Sequence, residues 1–277
     1  MHASFMLKAL EQARLGRGLC APNPAVGAVI VQDGKIIAEG WHKGAGKAHA
    51  EQLALEQLPD DATNLTLYVT LEPCNHWGRT PPCALAICKS AVTKVVYGFR
   101  DPNPVVAAND TPKILEQQGI EVLHLPLTEI DDFYASYLYW TKTKMPWVTA
   151  KIAHSMDGKI GLAQQIVHLT NSECQYLTHT KRWQTDVILT TAKTIHADNP
   201  RLNARLDGQE LKKHVAILDR ELSLISKTGT PAQIFSQALH CHFFYDQGLP
   251  APSPRDNCSY HPVATIGSKL DLAAVVH

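Results

Sequence analysis

The chain has 277 residues, 45% of them apolar and 19% charged, the balance of a soluble globular protein with one large domain or two of ordinary size. Lysine plus arginine equal aspartate plus glutamate at 26 each, so no global field favours nucleic acid or an anionic membrane. Seven scattered cysteines argue against a disulfide framework, and without an 18-residue apolar run or a signal-peptide pattern a cytoplasmic protein is expected.

Strand-like and helix-like segments alternate through the first half. Residues 25–31 (AVGAVIV) predict an apolar strand, Asp33-Gly34 a hairpin turn and 35–41 the returning strand. Residues 49–58 carry Leu53, Leu55 and Leu58 at helical spacing, with Pro59 as a stop. A strand over 65–71 (LTLYVTL) leads into Glu72-Pro73-Cys74; a helix over 83–90, a strand over 94–98, a helix over 111–118 and a strand over 120–125 follow. The stretch 126–146 is irregular and ends at Pro146, a domain junction, so the domains expected are 1–146 and 147–277. In the second, 147–153 (WVTAKIA) reads as a strand, Asp157-Gly158 as a turn, 172–183 as a helix, and 186–190 and 215–219 as further strands. Both halves are thus of the α/β layered type.

One group of residues carries chemistry. His49-Ala50-Glu51 opens a helix, Cys74 follows a strand, and Cys83 opens the next helix. One imidazole, two thiols and one carboxylate are the parts of a zinc site that activates water. Catalytic zinc takes three protein ligands and keeps a fourth position open, so His49, Cys74 and Cys83 are the expected ligands and Glu51 the proton carrier. Helix starts stabilise thiolate and carboxylate, which suits Cys83 and Glu51. Nucleobase deaminases usually place two residues between the cysteines, whereas eight intervene here, with Gly78 and Pro81-Pro82 as turn and helix-start residues. The competing reading is a structural zinc site with His76 as fourth ligand. Cys20, Cys88, Cys174, Cys241 and Cys258 read as ordinary small side chains.

The strings PNPAVGAVIV, HAE, TLEPCNHWGRTPPC and DPNP resemble those of the bifunctional deaminase/reductase family of riboflavin biosynthesis, whose own zinc motif has this longer spacing. The resemblance covers residues 8–125 with high specificity and continues more weakly beyond. It implies a cytidine-deaminase-like α/β/α zinc domain followed by a shortened dihydrofolate-reductase-like α/β domain. It also implies hydrolytic deamination of a diaminopyrimidinone ribosyl phosphate, with Glu51 moving protons and zinc lowering the pKa of its water to about 7. Asn23 matches a base-recognising asparagine, and His42, His76, Arg79, Asp101 and Asn103 match positions around base, ribose and phosphate. In the second half, SMDGKI and HADNPRLNAR resemble two reductase stretches. They imply that Lys151, Arg182, Leu202 and Arg205 face the substrate and that Thr194 and Asp198 lie along NADPH.

Each of these has a plainer alternative in turn or surface chemistry, Asp157-Gly158 and Asp198-Asn199-Pro200 above all. Three departures count against a working reductase. The family's G-x-S-x-W-I-T stretch stands here as residues 165–170 without its glycine, serine and tryptophan. Ala108-Asn109-Asp110 replaces glycines after DPNP, and no glycine-rich pyrophosphate turn precedes His277. A deaminase with an incomplete, non-catalytic second domain is therefore the alternative. A nucleic-acid base deaminase is more remote, since the charge balance offers no basic groove. The expected partner is a small phosphorylated pyrimidine, with homo-oligomerisation left open.

Overall fold

A computed structural model describes residues 1–78, 81–108, 110–161, 167, 169–225 and 232–276. The chain divides into two compact units, Met1–Trp147 and Val148–His277. Among the described residues no helix is long and apolar enough to cross a membrane.

The first unit runs α1 (His2–Gly16), β1 (Gly27–Gln32), β2 (Lys35–Trp41), α2 (Ala50–Leu55), β3 (Leu65–Leu71), α3 (Cys83–Cys88), β4 (Val92–Phe99), α4 (Pro104–Ala107), α5 (Thr111–Gln117), β5 (Glu121–His124) and α6 (Thr128–Thr143). Its sheet has the order β2-β1-β3-β4-β5. β1 pairs antiparallel with β2 and β3, and β3, β4 and β5 are parallel. Asp33 and Gly34 both take positive φ (49° and 75°), as a two-residue hairpin turn requires.

Both faces of this sheet are covered, which is why β1 and β3 read as unbroken apolar runs. Ala28, Ile30, Leu67, Val69 and Val95 face one core with Ala50 and Ala54 of α2, Ala84 and Ile87 of α3 and Leu115 of α5. Val29, Val31, Tyr68 and Val96 face the other, with Met6, Ala9, Leu10 and Ala13 of α1 and Ile130 and Tyr134 of α6. The result is a three-layer α/β/α unit. A buried hydrogen-bond chain ties α6 to the sheet: Gly27 N–H donates to Thr70 Oγ1, the Thr70 hydroxyl to Tyr134 Oη, and the Tyr134 hydroxyl to the carbonyl of Ala25.

The second unit contains α7 (Ser172–Trp183), β6 (Val187–Thr191), α8 (Ala192–Asp198), β7 (Ala204–Leu206), β8 (Gln209–Leu211), β9 (His214–Leu218), α9 (Ile234–Gln237), β10 (His240–Asp246), β11 (Cys258–Val263), β12 (Thr265–Ile266), β13 (Lys269–Leu270) and α10 (Leu272–Val276). Four parallel strands form a sheet in the order β11-β10-β9-β6. Its core face carries Val215, Ile217, Cys241 and Phe243 against Ala192, Ile195 and Ile234. The α/β assignment of both halves therefore holds.

Three local expectations differ from the structure. The stretch 126–146 contains α6, a 16-residue helix with Glu129 and Asp131 in its first turn, where acidic groups suit the helix dipole. α1 is a helix the sequence reading did not assign. Residues 147–153 form no strand and lie mostly exposed. Strand-forming residues need a neighbour's N–H and C=O groups, and the four-stranded sheet ends at β6 without pairing to this segment. Asp157-Gly158 is a turn: Gly158 N–H donates to the Ser155 carbonyl, and Gly158 has φ +78°.

Candidate active site

Three elements of the first unit bring the expected metal ligands together. His49 is the N-cap of α2, where its backbone N–H donates to Gln52 Oε1 in a capping box. Cys74 follows β3, and its carbonyl accepts the N–H of Ala84 in the first turn of α3. Cys83 is the first residue of α3, and its backbone N–H donates to Cys74 Sγ at 3.4 Å. The donor atoms of His49, Cys74 and Cys83 all lie within 4.8 Å of one another. His49 Nδ1 stands 3.2 Å from Cys83 Sγ and 3.5 Å from Cys74 Sγ. A tetrahedral zinc, about 2.0–2.1 Å from nitrogen and 2.3 Å from sulfur, sets such pairs roughly 3.5 Å apart. Among the described residues His76 is not part of this group.

Electrostatics reinforce the geometry. The Cys74 thiol is pulled down to about 4, first by the hydrogen bond from Cys83 and then by that from His49, against the opposing effect of burial. Cys83, bonded to the Cys74 sulfur and buried, is pushed up, and the bond to Cys74 raises His49. Glu51, in the first turn of α2, is 4% exposed, and burial together with the Cys74 charge lifts its carboxyl to about 7.

His49, Glu51 and Cys74 line a cavity of about 330 Å3 together with Asn23, His42, Glu72, His76, Asp101, Asn103 and Tyr137. His42 Nδ1 faces the Ala48 carbonyl at 3.1 Å and must carry the proton there; its Nε2 therefore accepts an N–H from Asn23 Nδ2 at 3.1 Å. Burial lowers the His42 pKa, which favours this neutral tautomer. With its nitrogen engaged by His42, Asn23 offers its amide oxygen to a ligand. Asp101 Oδ1 accepts both the Asn103 N–H (2.9 Å) and the Tyr137 hydroxyl (3.0 Å), and burial raises its carboxyl. His76 Nδ1 is buried with no hydrogen-bond partner among the described residues, as expected of a group that a ligand must satisfy. Arg79 lies outside the described residues. Glu72 and Tyr137 are cavity residues that the sequence reading did not select. Glu72 adjoins the Pro-Cys motif, whereas Tyr137 comes from α6.

In the second unit, Arg182, Leu202 and Arg205 line an open cleft together with Pro200 and Arg201. Arg182 Nη1 donates to the Asn203 carbonyl and Arg205 Nη1 to Asn203 Oδ1. Burial and the neighbouring Arg205 lower the Arg182 pKa. Three guanidinium groups on one cleft suit a phosphate. Lys151, Thr194 and Asp198 do not line it. Lys151 is exposed in the extended segment, and Thr194 and Asp198 lie on α8 just beyond the carboxyl end of β6.

Fold and site together define the first unit as a cytidine-deaminase-like zinc domain. The family description "cytidine and deoxycytidylate deaminase zinc-binding region" matches residues 1–99, and "RibD C-terminal domain" matches residues 146–241. The riboflavin biosynthesis proteins RibD of Haemophilus influenzae and Escherichia coli are each 40% identical to this chain, over 205 and 203 residues. Each match covers 73% of this chain and 55% of the relative, so the chain spans about half the length of these curated relatives. Among solved structures, RibD of Acinetobacter baumannii superposes with a TM-score of 0.80 at 32% identity, covering 96% of this chain and 74% of that one. A diaminohydroxyphosphoribosylaminopyrimidine deaminase/5-amino-6-(5-phosphoribosylamino)uracil reductase from Thermotoga maritima gives 0.85 at 31% identity, covering 99% and 76%. The chain belongs to this family of bifunctional riboflavin-biosynthesis deaminase/reductases, with a reductase-type α/β domain second.

Proposed function

We propose that the first unit deaminates 2,5-diamino-6-(5-phosphoribosylamino)pyrimidin-4-one as a step of riboflavin biosynthesis. The convergence of His49, Cys74 and Cys83, with His49, Cys74 and the buried Glu51 lining a cavity, carries this reading. The donor set fits zinc: one imidazole and two sulfurs, one of them acidic, at separations near those of tetrahedral ligands. Zinc held there supplies Lewis acidity and makes water nucleophilic near neutral pH.

The remaining chemistry belongs to the protein's own groups. Glu51, raised to about 7, can both accept and return a proton at neutral pH. Its carboxylate takes one proton from the attacking water and passes it to the ring nitrogen; it then takes the second proton, from the hydroxyl now on the ring carbon, and gives it to the amino group, which leaves as ammonia while the carbonyl forms. The Asn23 oxygen and the Asp101 carboxylate accept N–H groups of the pyrimidine, and His42 orients Asn23. His76, Asn103 and Arg79 complete the ribose and phosphate contacts.

The second unit supports a companion reading, NADPH-dependent reduction of the ribose of the deaminated product. The cleft of Arg182, Arg201 and Arg205 favours it, since it would hold the product's phosphate. Thr194 and Asp198 offer polar groups near the carboxyl end of β6, the end at which open α/β sheets bind ligands, and are the proposed cofactor contacts. Lys151 is proposed to face the ribose.

Ammonia release from the diaminopyrimidinone ribosyl phosphate, followed by NADPH addition, tests both. Ammonia with NADPH oxidation is the expected result. Ammonia without oxidation would reduce the proposal to the deaminase. A folded, zinc-loaded protein that released none would overturn it.

A further inference from the structure

Four histidines crowd the face of the second unit's sheet that lies opposite its hydrophobic core. Alternation along β10 sends Cys241, Phe243 and Tyr245 into that core and His240 and His242 to the other side. Parallel pairing then sets His214 of β9 beside His240, and His261 of β11 falls on the same face. All four are half-buried. The rings of His242 lie 4.7 Å from His240, 5.6 Å from His214 and 5.6 Å from His261, centroid to centroid.

We propose that this row binds a divalent transition-metal ion of the zinc and nickel class, with His214, His240 and His242 as ligands and His261 and Ser259 as orienting partners. His242 Nε2 stands 3.4 Å from His214 Nδ1 and His242 Nδ1 stands 3.3 Å from His261 Nε2. The His242–His261 pair is a hydrogen bond between ring nitrogens. The His214–His242 separation matches the roughly 3.3–3.4 Å between two imidazole nitrogens on one tetrahedral zinc. With the ion between His214 Nδ1 and His242 Nε2, the other His242 nitrogen carries its proton toward His261 Nε2. His240 Nε2 is bonded to Ser259 Oγ at 2.7 Å, which leaves Nδ1 as its donor atom. Ligating imidazoles generally have their second nitrogen engaged in this way, which fixes tautomer and ring orientation. Among the described residues only the first-unit trio has all donor atoms within 4.8 Å, so His214 and His242 hold the ion first and His240 joins them by a side-chain rotation that the Ser259 hydroxyl follows. Borderline ions suit an all-imidazole set, whereas magnesium and calcium need oxygen ligands.

The test is metal content after equilibrium dialysis of the full chain against zinc, repeated with cobalt. Cobalt bound at the cysteine site shows a thiolate charge-transfer band, and cobalt bound by histidines alone does not. The expected result is two ions per chain, falling to one in His242→Gln and in His214→Asn with the thiolate band intact. In Cys83→Ser one ion should remain without that band. Ser259→Ala should weaken the second ion about 10- to 100-fold without changing the first. The proposal fails if the unsubstituted chain binds only the thiolate-site ion, or if folded His242→Gln and His214→Asn both retain two ions.

Discussion

At the scale of single residues, the buried carboxyl of Glu51 and the Asp101–Tyr137 pair make separable predictions. Glu51→Gln removes the proton carrier but no metal donor. Ammonia release should fall by about 10²- to 10⁴-fold, with zinc content measured by atomic emission unchanged. Loss of zinc in this variant would place Glu51 among the ligands. Tyr137→Phe deletes one of the two bonds to Asp101 Oδ1 while Asn103 N–H keeps the other. The Tyr137 bond holds the Asp101 carboxyl down against burial, so its loss moves that pKa further up. Ionised Asp101 then survives only at higher pH, and the acid limb of the kcat/KM profile should shift upward. The fall at neutral pH should be about tenfold or more, the worth of a hydrogen bond to a charged group. An unshifted profile would make Tyr137 a packing residue. The contrast also shows what the sequence discloses. His49, Glu51, Cys74 and Cys83 announce themselves because zinc chemistry restricts residue types at element starts. Tyr137 enters the cavity from a helix far along the chain, and nothing in its local string marks that destination.

At the scale of elements, two glycines set how closely the helices approach the sheet. A Cβ on Gly40 of β2 would stand 2.3 Å from the Ala50 carbonyl oxygen and 2.9 Å from the Ala54 nitrogen of α2. A Cβ on Gly27 of β1 would stand 2.1 Å from the Ala9 carbonyl oxygen of α1. Either alanine forces a helix off the sheet, and overpacking of this kind costs about 1–3 kcal/mol or more. Gly27→Ala should lower Tm while leaving zinc affinity unchanged, because α1 carries no ligand. Gly40→Ala should lower both, since α2 carries His49. Thermal melts and competition with a zinc chelator read the two effects, and equal zinc affinity in both variants would contradict a site braced by α2. β1 was legible because burial on both faces leaves an unbroken apolar run, and β2 because the Asp33-Gly34 turn sends the chain back beside it. α6 was not, although Ile130, Phe133, Tyr134 and Tyr137 recur at helical spacing. The error at 147–153 was of another kind. Strand composition is a local property and strand formation is not, because the hydrogen bonds that define a strand lie on its neighbour.

At the scale of the whole molecule, two units with separate cores should respond separately to a ligand held within one of them. Met1–Trp147 has a core on each face of a five-stranded sheet, and the four-stranded sheet of Val148–His277 has its own. His49, Cys74 and Cys83 come from three segments of the first unit, so an ion joining them resists unfolding of that unit as a whole. A ligand at 1,000 times its Kd adds about 4 kcal/mol, which for a domain near 150 residues raises Tm by roughly 8–16 °C. In a His242→Gln background, where only the cysteine site binds, calorimetry should show zinc raising one transition and leaving the other in place. Gly27→Ala in the same background identifies the responsive transition, because it lowers the first unit alone. A single transition that moved as one with zinc would mean that the two units unfold as a single cooperative body.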